Sequence, residues 1–155
     1  MAATATRAQS SLPDPSLTPG AINPAVTQEN IAQTICVPGW TRTVRPPREF
    51  TSQLKHEQIR AAGFGDRRLS HYEEDHLVPL GVGGAPSDPR NLWPEPRQPA
   101  DNWGADRKDA LEYQLNRLVC ASQLSLAEAQ RAIATDWIAA YRRYVLDGGE
   151  PVDEQ

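Results

Sequence analysis

The chain has 155 residues, with 16 basic and 20 acidic side chains and a formal net charge of −4. This length favours one domain, and the sign of the charge excludes a protein that coats nucleic acid through its overall field. Any phosphate-binding surface must therefore be local. Lys55 and Lys108 are the only lysines, so 14 of the 16 basic residues are arginine. The forked guanidinium of arginine suits phosphate and carboxylate, although a genome rich in G and C would produce the same bias.

The first part of the chain has the composition of a disordered segment. Residues 1–24 are rich in Ala, Thr, Ser and Pro, and we expect them to form a disordered leader or linker. Residues 1–20 lack the apolar centre of a secretory signal, and no apolar run reaches the roughly 18 residues of a membrane span. We therefore expect no membrane association. A disordered leader together with a possible disulfide between Cys36 and Cys120 suggests an exported protein, and a cytoplasmic one is the alternative.

Two cysteines, Cys36 and Cys120, lie far apart in the chain. If they pair, they join the start of the ordered region to a helix near its end, and closing so long a loop would stabilise the fold by about 4 kcal/mol. The alternative is two buried thiols that pack as small apolar side chains. With no third cysteine, a zinc or redox motif is not indicated.

Helices are predicted in chain order from capping and periodicity. The first two cover residues 27–35 and residues 51–62, the second closed by Gly63. No proline occurs between Pro99 and Pro151, so residues 105–146 are free to be helical. One amphipathic helix is expected to end near Cys120. A single further helix is expected over about 125–146, capped by Ser125. The apolar residues that recur at helical spacing in these two helices are Leu111, Leu115, Leu118, Val119, Ala129, Ile133, Trp137, Ala140, Tyr141 and Tyr144.

The densest group of titratable side chains is the run His71-Tyr72-Glu73-Glu74-Asp75-His76, which leads directly into apolar residues. An acid beside a histidine at the end of a strand can place a hard oxygen ligand next to a proton acceptor. In hydrolysis of a phosphodiester, a divalent metal neutralises phosphate oxygens while neutral imidazole takes a proton from the attacking water. An Asp-His pair alone is common on protein surfaces, so the surrounding sequence must show whether this pair belongs to a catalytic site.

That surrounding sequence resembles the HNH nuclease family, which has the ββα-metal fold. The residues that carry the resemblance are Asp75-His76-Leu77-Val78-Pro79-Leu80-Gly81-Val82-Gly83-Gly84, a loop, Asn91-Leu92-Trp93-Pro94, and a helix. The match covers about residues 72–119, and the run from Tyr72 looks like an uncharacterised bacterial subgroup of that family. The resemblance implies an α+β fold, in which the ββα-metal motif is embedded in a mostly helical domain over residues 25–147. Residues 148–155 are expected to form a flexible tail.

The resemblance also implies an activity and roles for individual residues. His76 would be the general base that activates water, and Asp75 would bind a divalent metal, Mg²⁺ in the first place with Mn²⁺ or Zn²⁺ as alternatives. Asn91 would hold the loop and orient the histidine, and Gly83 and Gly84 would shape the turn. The implied function is a metal-dependent endonuclease that cuts DNA and leaves 5′-phosphate and 3′-hydroxyl ends.

One position departs from the family pattern. The family carries a His or Asn ligand on the helix, whereas no histidine follows His76 in this chain. The candidates for this ligand are Asn102, Asp106, Asp109 and Glu112. We select Asp109, because Lys108-Asp109 opens the helix in the resembled subgroup, and keep Asn102 as the alternative.

Two other functions stay open, and the missing histidine supports the first of them. The chain could be a non-catalytic module that keeps the fold and binds DNA or a partner protein, or a hydrolase of another phosphoester. The sequence does not indicate an oligomeric state, and an inhibitor or immunity protein stays open as a partner.

Basic residues surround the motif in the sequence. We predict phosphate contacts from Arg68, Arg90, Arg97 and Lys108. Arg42, Arg45 and Arg48 alternate with Thr, Val and Pro ahead of the motif and form a second basic segment. Such side chains would bind DNA in a salt-sensitive and sequence-tolerant way, although a solvated surface would show the same pattern.

Overall fold

A computed structural model describes residues 10–147, and it combines helices with a small two-stranded antiparallel sheet. The elements in chain order are α1 (Trp40–Val44), α2 (Arg48–Ala62), β1 (Tyr72–His76), β2 (Leu92–Pro96), α3 (Ala105–Cys120), α4 (Leu126–Thr135) and α5 (Trp137–Tyr141). The predicted α+β class is therefore confirmed. The predicted flexible tail over 148–155 lies outside the described residues. Within residues 10–147, no helix has the length and apolar character needed to cross a bilayer.

The sheet consists of β1 and β2, paired so that Tyr72 lies opposite Pro96 and His76 lies opposite Leu92. Because side chains alternate between the faces of a strand, Asp75 shares one face with Glu95, and His76 lies on the other. Helix α2 packs against both strands. This arrangement places the acid and the histidine of the motif next to each other at the carboxyl end of β1.

The loop between the strands is fixed by close backbone packing. Gly83 has φ +79°, in the left-handed region. A Cβ on Gly84 would lie 1.7 Å from the carbonyl oxygen of Val78, so no other residue fits there without moving the backbone. Both glycines therefore shape the turn, as the sequence predicts.

The segment before α1 is an ordered part of the domain. Ser11 is buried, and its carbonyl accepts a hydrogen bond from the indole nitrogen of Trp137 at 2.8 Å. Farther along, Ile22 forms a β-bridge with Gly84. The predicted disordered leader is therefore wrong for residues 10–24, because these hydrogen bonds secure a polar, proline-rich segment that has little periodicity of its own. Residues 1–9 lie outside the described residues.

The helices differ from the predictions mainly at their ends. Helix α2 begins at Arg48, earlier than predicted, and ends before Gly63, which has φ +69°. Residues 28–33 form a 3-10 helix within the predicted 27–35 helix. The single helix predicted over about 125–146 is broken at Asp136, whose φ of −160° is extended. Its carboxylate caps the new helix by accepting from the backbone nitrogens of Ile138 and Ala139.

A disulfide and one apolar cluster hold these elements together. Cys36 and Cys120 are bonded across 84 residues of sequence, so of the two interpretations of these cysteines the disulfide is confirmed. The bond ties the segment before α1 to the end of α3. The buried cluster joins the interstrand loop to the C-terminal helices through Leu77, Val78, Val82, Leu111, Leu115, Val119, Ala129, Ile133, Trp137, Ala140 and Tyr144. The carboxyl end of β1 and helix α3 are therefore held in a fixed relation.

Candidate functional site

A cavity of about 550 Å³ opens at the carboxyl end of β1. Its walls come from the segment 35–41, from β1 with the start of the interstrand loop, and from α3. The titratable side chains that line it are Arg45, Glu73, Glu74, Asp75, His76, Asp109, Glu112 and Tyr113. The structure thus brings the predicted residues Asp75, His76 and Asp109 to one cavity.

His76 has the protonation state that a general base requires. Burial lowers the pKa of its imidazole, and the positive charges of Arg45 and Lys108 add to this effect, against opposing contributions from Asp75 and Pro86. Its Nε2 lies 2.8 Å from the carbonyl oxygen of Pro86. Because a carbonyl only accepts, Nε2 carries the hydrogen and Nδ1 carries the free lone pair. At neutral pH His76 is therefore an uncharged imidazole whose proton-accepting atom is Nδ1.

Asn91 holds the loop that carries this histidine contact. Its side chain is fully buried. Its Oδ1 accepts from the backbone nitrogens of Val78 and Ala21, and its Nδ2 donates to the carbonyls of Val78 and Ala85. All four hydrogen bonds go to backbone, so Asn91 positions His76 indirectly, through the loop that contains Pro86.

Lys108 is buried at the centre of the acidic side of the site. Its side chain has no exposed surface. Its Nζ lies 2.7 Å from Asp75 Oδ2, 2.7 Å from Glu112 Oε1 and 2.8 Å from the carbonyl oxygen of His76. Burial acts to lower the pKa of Lys108, but the carboxylates around it outweigh this effect and raise the pKa. The predicted role of Lys108 in binding DNA phosphate is therefore wrong, since its ammonium is fully enclosed and already contacts three oxygens of the chain.

Three carboxyl groups on β1, β2 and α3, those of Glu74, Glu95 and Glu112, have raised pKa values. Burial is the main reason that the pKa of Glu74 rises to about 8, and burial together with the neighbouring Asp75 raises the pKa of Glu95. Burial also raises the pKa of Glu112, more than the adjacent Lys108 lowers it. Within the described residues, no hydrogen-bond partner meets Glu95 Oε2 or either carboxyl oxygen of Glu74. The site thus holds more carboxyl groups than it can keep charged at neutral pH.

The residues predicted to bind a divalent metal do not fit that role in this arrangement. Asp75 already pairs with Lys108, and Asp109 is exposed on the adjoining face of α3. Asn102 lies in a turn before α3 with φ +64° and lines a different cavity, beside Arg97. Among residues 10–147, no three His, Cys, Asp or Glu side chains converge as a metal-binding group. The α3 side chain that contacts Asp75 is the ammonium of Lys108, which is a cation and not a metal ligand.

The other predicted phosphate contacts lie away from the cavity. Arg90 is paired with Asp88, with 2.7 Å between Nη2 and Oδ2. Arg97 lies 3.7 Å from Glu73 and lines the neighbouring cavity. Arg68 is exposed in the turn before β1. The structure does not gather these three arginines around His76.

Arg45 is the arginine that the structure does bring to His76. It follows α1, is exposed, and lines the cavity. The sequence placed it in a basic segment but did not relate it to the histidine, because α1 and β1 are separated by 27 residues. The sequence does indicate that Lys108 is buried. Lys108 lies three residues before Leu111 and seven before Leu115, on the apolar face of the helix.

Comparison of the chain with protein-family models, with curated proteins and with solved structures finds no match.

Proposed function

We propose that this chain is an HNH-type endonuclease that hydrolyses DNA phosphodiester bonds, with His76 as the general base. The observation that carries the proposal is a neutral imidazole, fixed through Nε2 and lining a cavity, at the end of the first strand of a β-loop-β-α unit. That order of elements over residues 72–120 is the order that the sequence resemblance implies for the ββα-metal motif.

The geometry supports one balanced hydrolytic step. The oxygen of a water molecule attacks the phosphorus, and His76 Nδ1 takes the proton that the water loses. The bond between phosphorus and the 3′ oxygen breaks, and that oxygen gains a proton from solvent to become a hydroxyl. The other product keeps a 5′-phosphate.

Charge at the cavity determines how a phosphodiester can enter it. Charged carboxylates at Glu73, Glu74 and Asp109 would repel a polyanion, and burial raises the pKa of Glu74 to about 8, which reduces this repulsion at neutral pH. Arg45 is the basic side chain at the cavity that is free of an ion pair among the described residues. We therefore assign the contact with the scissile phosphate to Arg45, with exposed Arg42 and Arg48 available to flanking phosphates.

A second candidate function is a non-catalytic module that binds a basic partner protein or DNA. Two observations favour it. The predicted metal ligand Asp75 is paired with Lys108, and the cavity presents more carboxyl groups than basic ones. A cavity of this kind suits the cationic surface of a protein partner.

Digestion of supercoiled plasmid separates the two candidates. We expect the parent protein to nick the plasmid and His76→Ala to be slower by about 100-fold or more, the usual contribution of a general base. His71→Ala is the matched control, because His71 is exposed and paired with Asp66 outside the cavity, and it should cut like the parent. Equal cutting by His76→Ala and the parent would refute the mechanism. DNA binding without cleavage under any buffer condition would favour the non-catalytic module.

A further inference from the structure

The position beside Asp75 where a cation would be expected is occupied by an ammonium group of the chain itself. Lys108 Nζ contacts oxygens of Asp75, Glu112 and the His76 backbone at 2.7–2.8 Å. The ammonium donates hydrogen bonds to Glu112 and to the His76 carbonyl, and its contact with Asp75 Oδ2 is an ion pair that lacks hydrogen-bond geometry. A cation that belongs to the chain thus pairs with the carboxylates of Asp75 and Glu112.

We infer that Lys108 supplies the positive charge beside Asp75 that a divalent metal would otherwise supply, and that the site takes up no divalent metal. Where it concerns catalysis, this inference rests on the proposed function, because it implies that DNA cleavage by this chain proceeds in the presence of a chelator. As a statement about metal binding, it stands on the geometry alone.

Displacement of Lys108 by a metal is disfavoured for a structural reason. A metal that bound Asp75 Oδ2 would remove one partner of an ammonium that has no exposed surface. The lysine belongs to α3, where Leu111 and Leu115 beside it are also fully buried. A buried charge without its partner is strongly destabilising.

Lys108 also holds His76 in place. Lys108 donates to the carbonyl oxygen of His76 itself and pairs with the side chain of the preceding residue, Asp75. The end of β1 is therefore held from α3 by one side chain. Lys108 is a positioning residue for His76 and does not touch substrate, since it is fully enclosed.

The first test measures metal binding and does not depend on activity. Isothermal titration of the parent protein and of Asp75→Asn with MnCl₂ and MgCl₂ should give the same absence of a specific site. Lys108→Met, which removes the charge and keeps the length of the side chain, should gain Mn²⁺ binding. Its melting temperature should rise by more than about 3 °C in excess Mn²⁺, and this rise should disappear in Asp75→Asn/Lys108→Met.

Two results would overturn the inference. One is specific Mn²⁺ or Mg²⁺ binding by the parent that Asp75→Asn abolishes. The other is a folded Lys108→Met that takes up no Mn²⁺, because Lys108 would then not be what occupies the cation position. If Lys108→Met does not fold, the comparison of the parent with Asp75→Asn decides the question alone.

Cleavage in chelator separates this inference from the proposed function. We expect the parent to nick plasmid at the same rate, within about twofold, with EDTA or with Mn²⁺. A loss of cleavage in EDTA that Mn²⁺ restores would overturn the inference and leave the nuclease in place. If DNA is not cut under any condition, the proposed function fails, while the titration still decides whether Lys108 replaces a metal.

Discussion

Replacing Asn91 by alanine tests how much its hydrogen bonds to the interstrand loop stabilise the fold. The substitution removes four hydrogen bonds to backbone at a fully buried position. It leaves the amide and carbonyl of Val78 and the carbonyl of Ala85 without the partner that Asn91 provides. A buried polar group left unsatisfied costs about 1–3 kcal/mol, so we expect Asn91→Ala to lower the free energy of unfolding by roughly 3–6 kcal/mol.

Asn116→Ala is the matched control for this measurement. Its side chain is partly buried and donates to two carbonyls, those of Ile35 and Gly81, so its loss should cost roughly 1–2 kcal/mol. Urea unfolding of both variants with the disulfide intact gives the comparison. A cost for Asn91→Ala that is below about 1 kcal/mol, or no larger than that of Asn116→Ala, would refute the role given to Asn91.

Three further predictions concern other parts of the structure. The raised pKa of Glu74, about 8, means that the folded state holds this proton more tightly than the unfolded state. The free energy of unfolding should therefore fall as pH rises from about 4.5 to about 8. Glu74→Gln should stabilise the protein by about 2–4 kcal/mol at pH 8 but hardly at pH 4. An equal effect of the substitution at both pH values would contradict this. Replacing both Cys36 and Cys120 by alanine should cost about 4 kcal/mol, because their bond closes a loop with a separation of 84 residues; a loss below about 1 kcal/mol in thermal or urea unfolding would show that the bond adds little. Gly84→Ala, which places a Cβ 1.7 Å from a backbone oxygen, should prevent stable folding. Gly63→Ala, with open space around it, should cost about 1 kcal/mol for its positive φ; similar circular-dichroism melting curves for the two variants would refute the packing argument.

The sequence was informative wherever a residue's role depends on its near neighbours. The helix end at Gly63, the cap at Ser125 and the glycines of the interstrand loop follow from local backbone requirements. Asp75 and His76 both line the cavity, and both lie at the carboxyl end of β1. Local rules also misled at Asp136, where a capping side chain starts a new helix inside a continuous apolar stripe.

The features that the sequence did not predict depend on contacts between distant segments. The order of residues 10–24 comes from hydrogen bonds to the interstrand loop and to Trp137, which a polar, proline-rich composition does not reveal. Arg45 reaches the cavity only through the packing of α1 beside it. The charge of Lys108 favours a phosphate contact, although helical spacing places it with Leu111 and Leu115.

The central claim is that His76 accepts the proton of the attacking water, and a single-turnover cleavage assay tests it most directly. Enzyme in excess over an end-labelled DNA duplex at pH 7.5 gives the rate of the chemical step for the parent and for His76→Ala, with circular dichroism to show that the variant is folded. The proposed mechanism predicts a rate at least about 100-fold lower for His76→Ala, with 5′-phosphate products from the parent. Equal rates for the two proteins, or no cleavage by the parent, would contradict it.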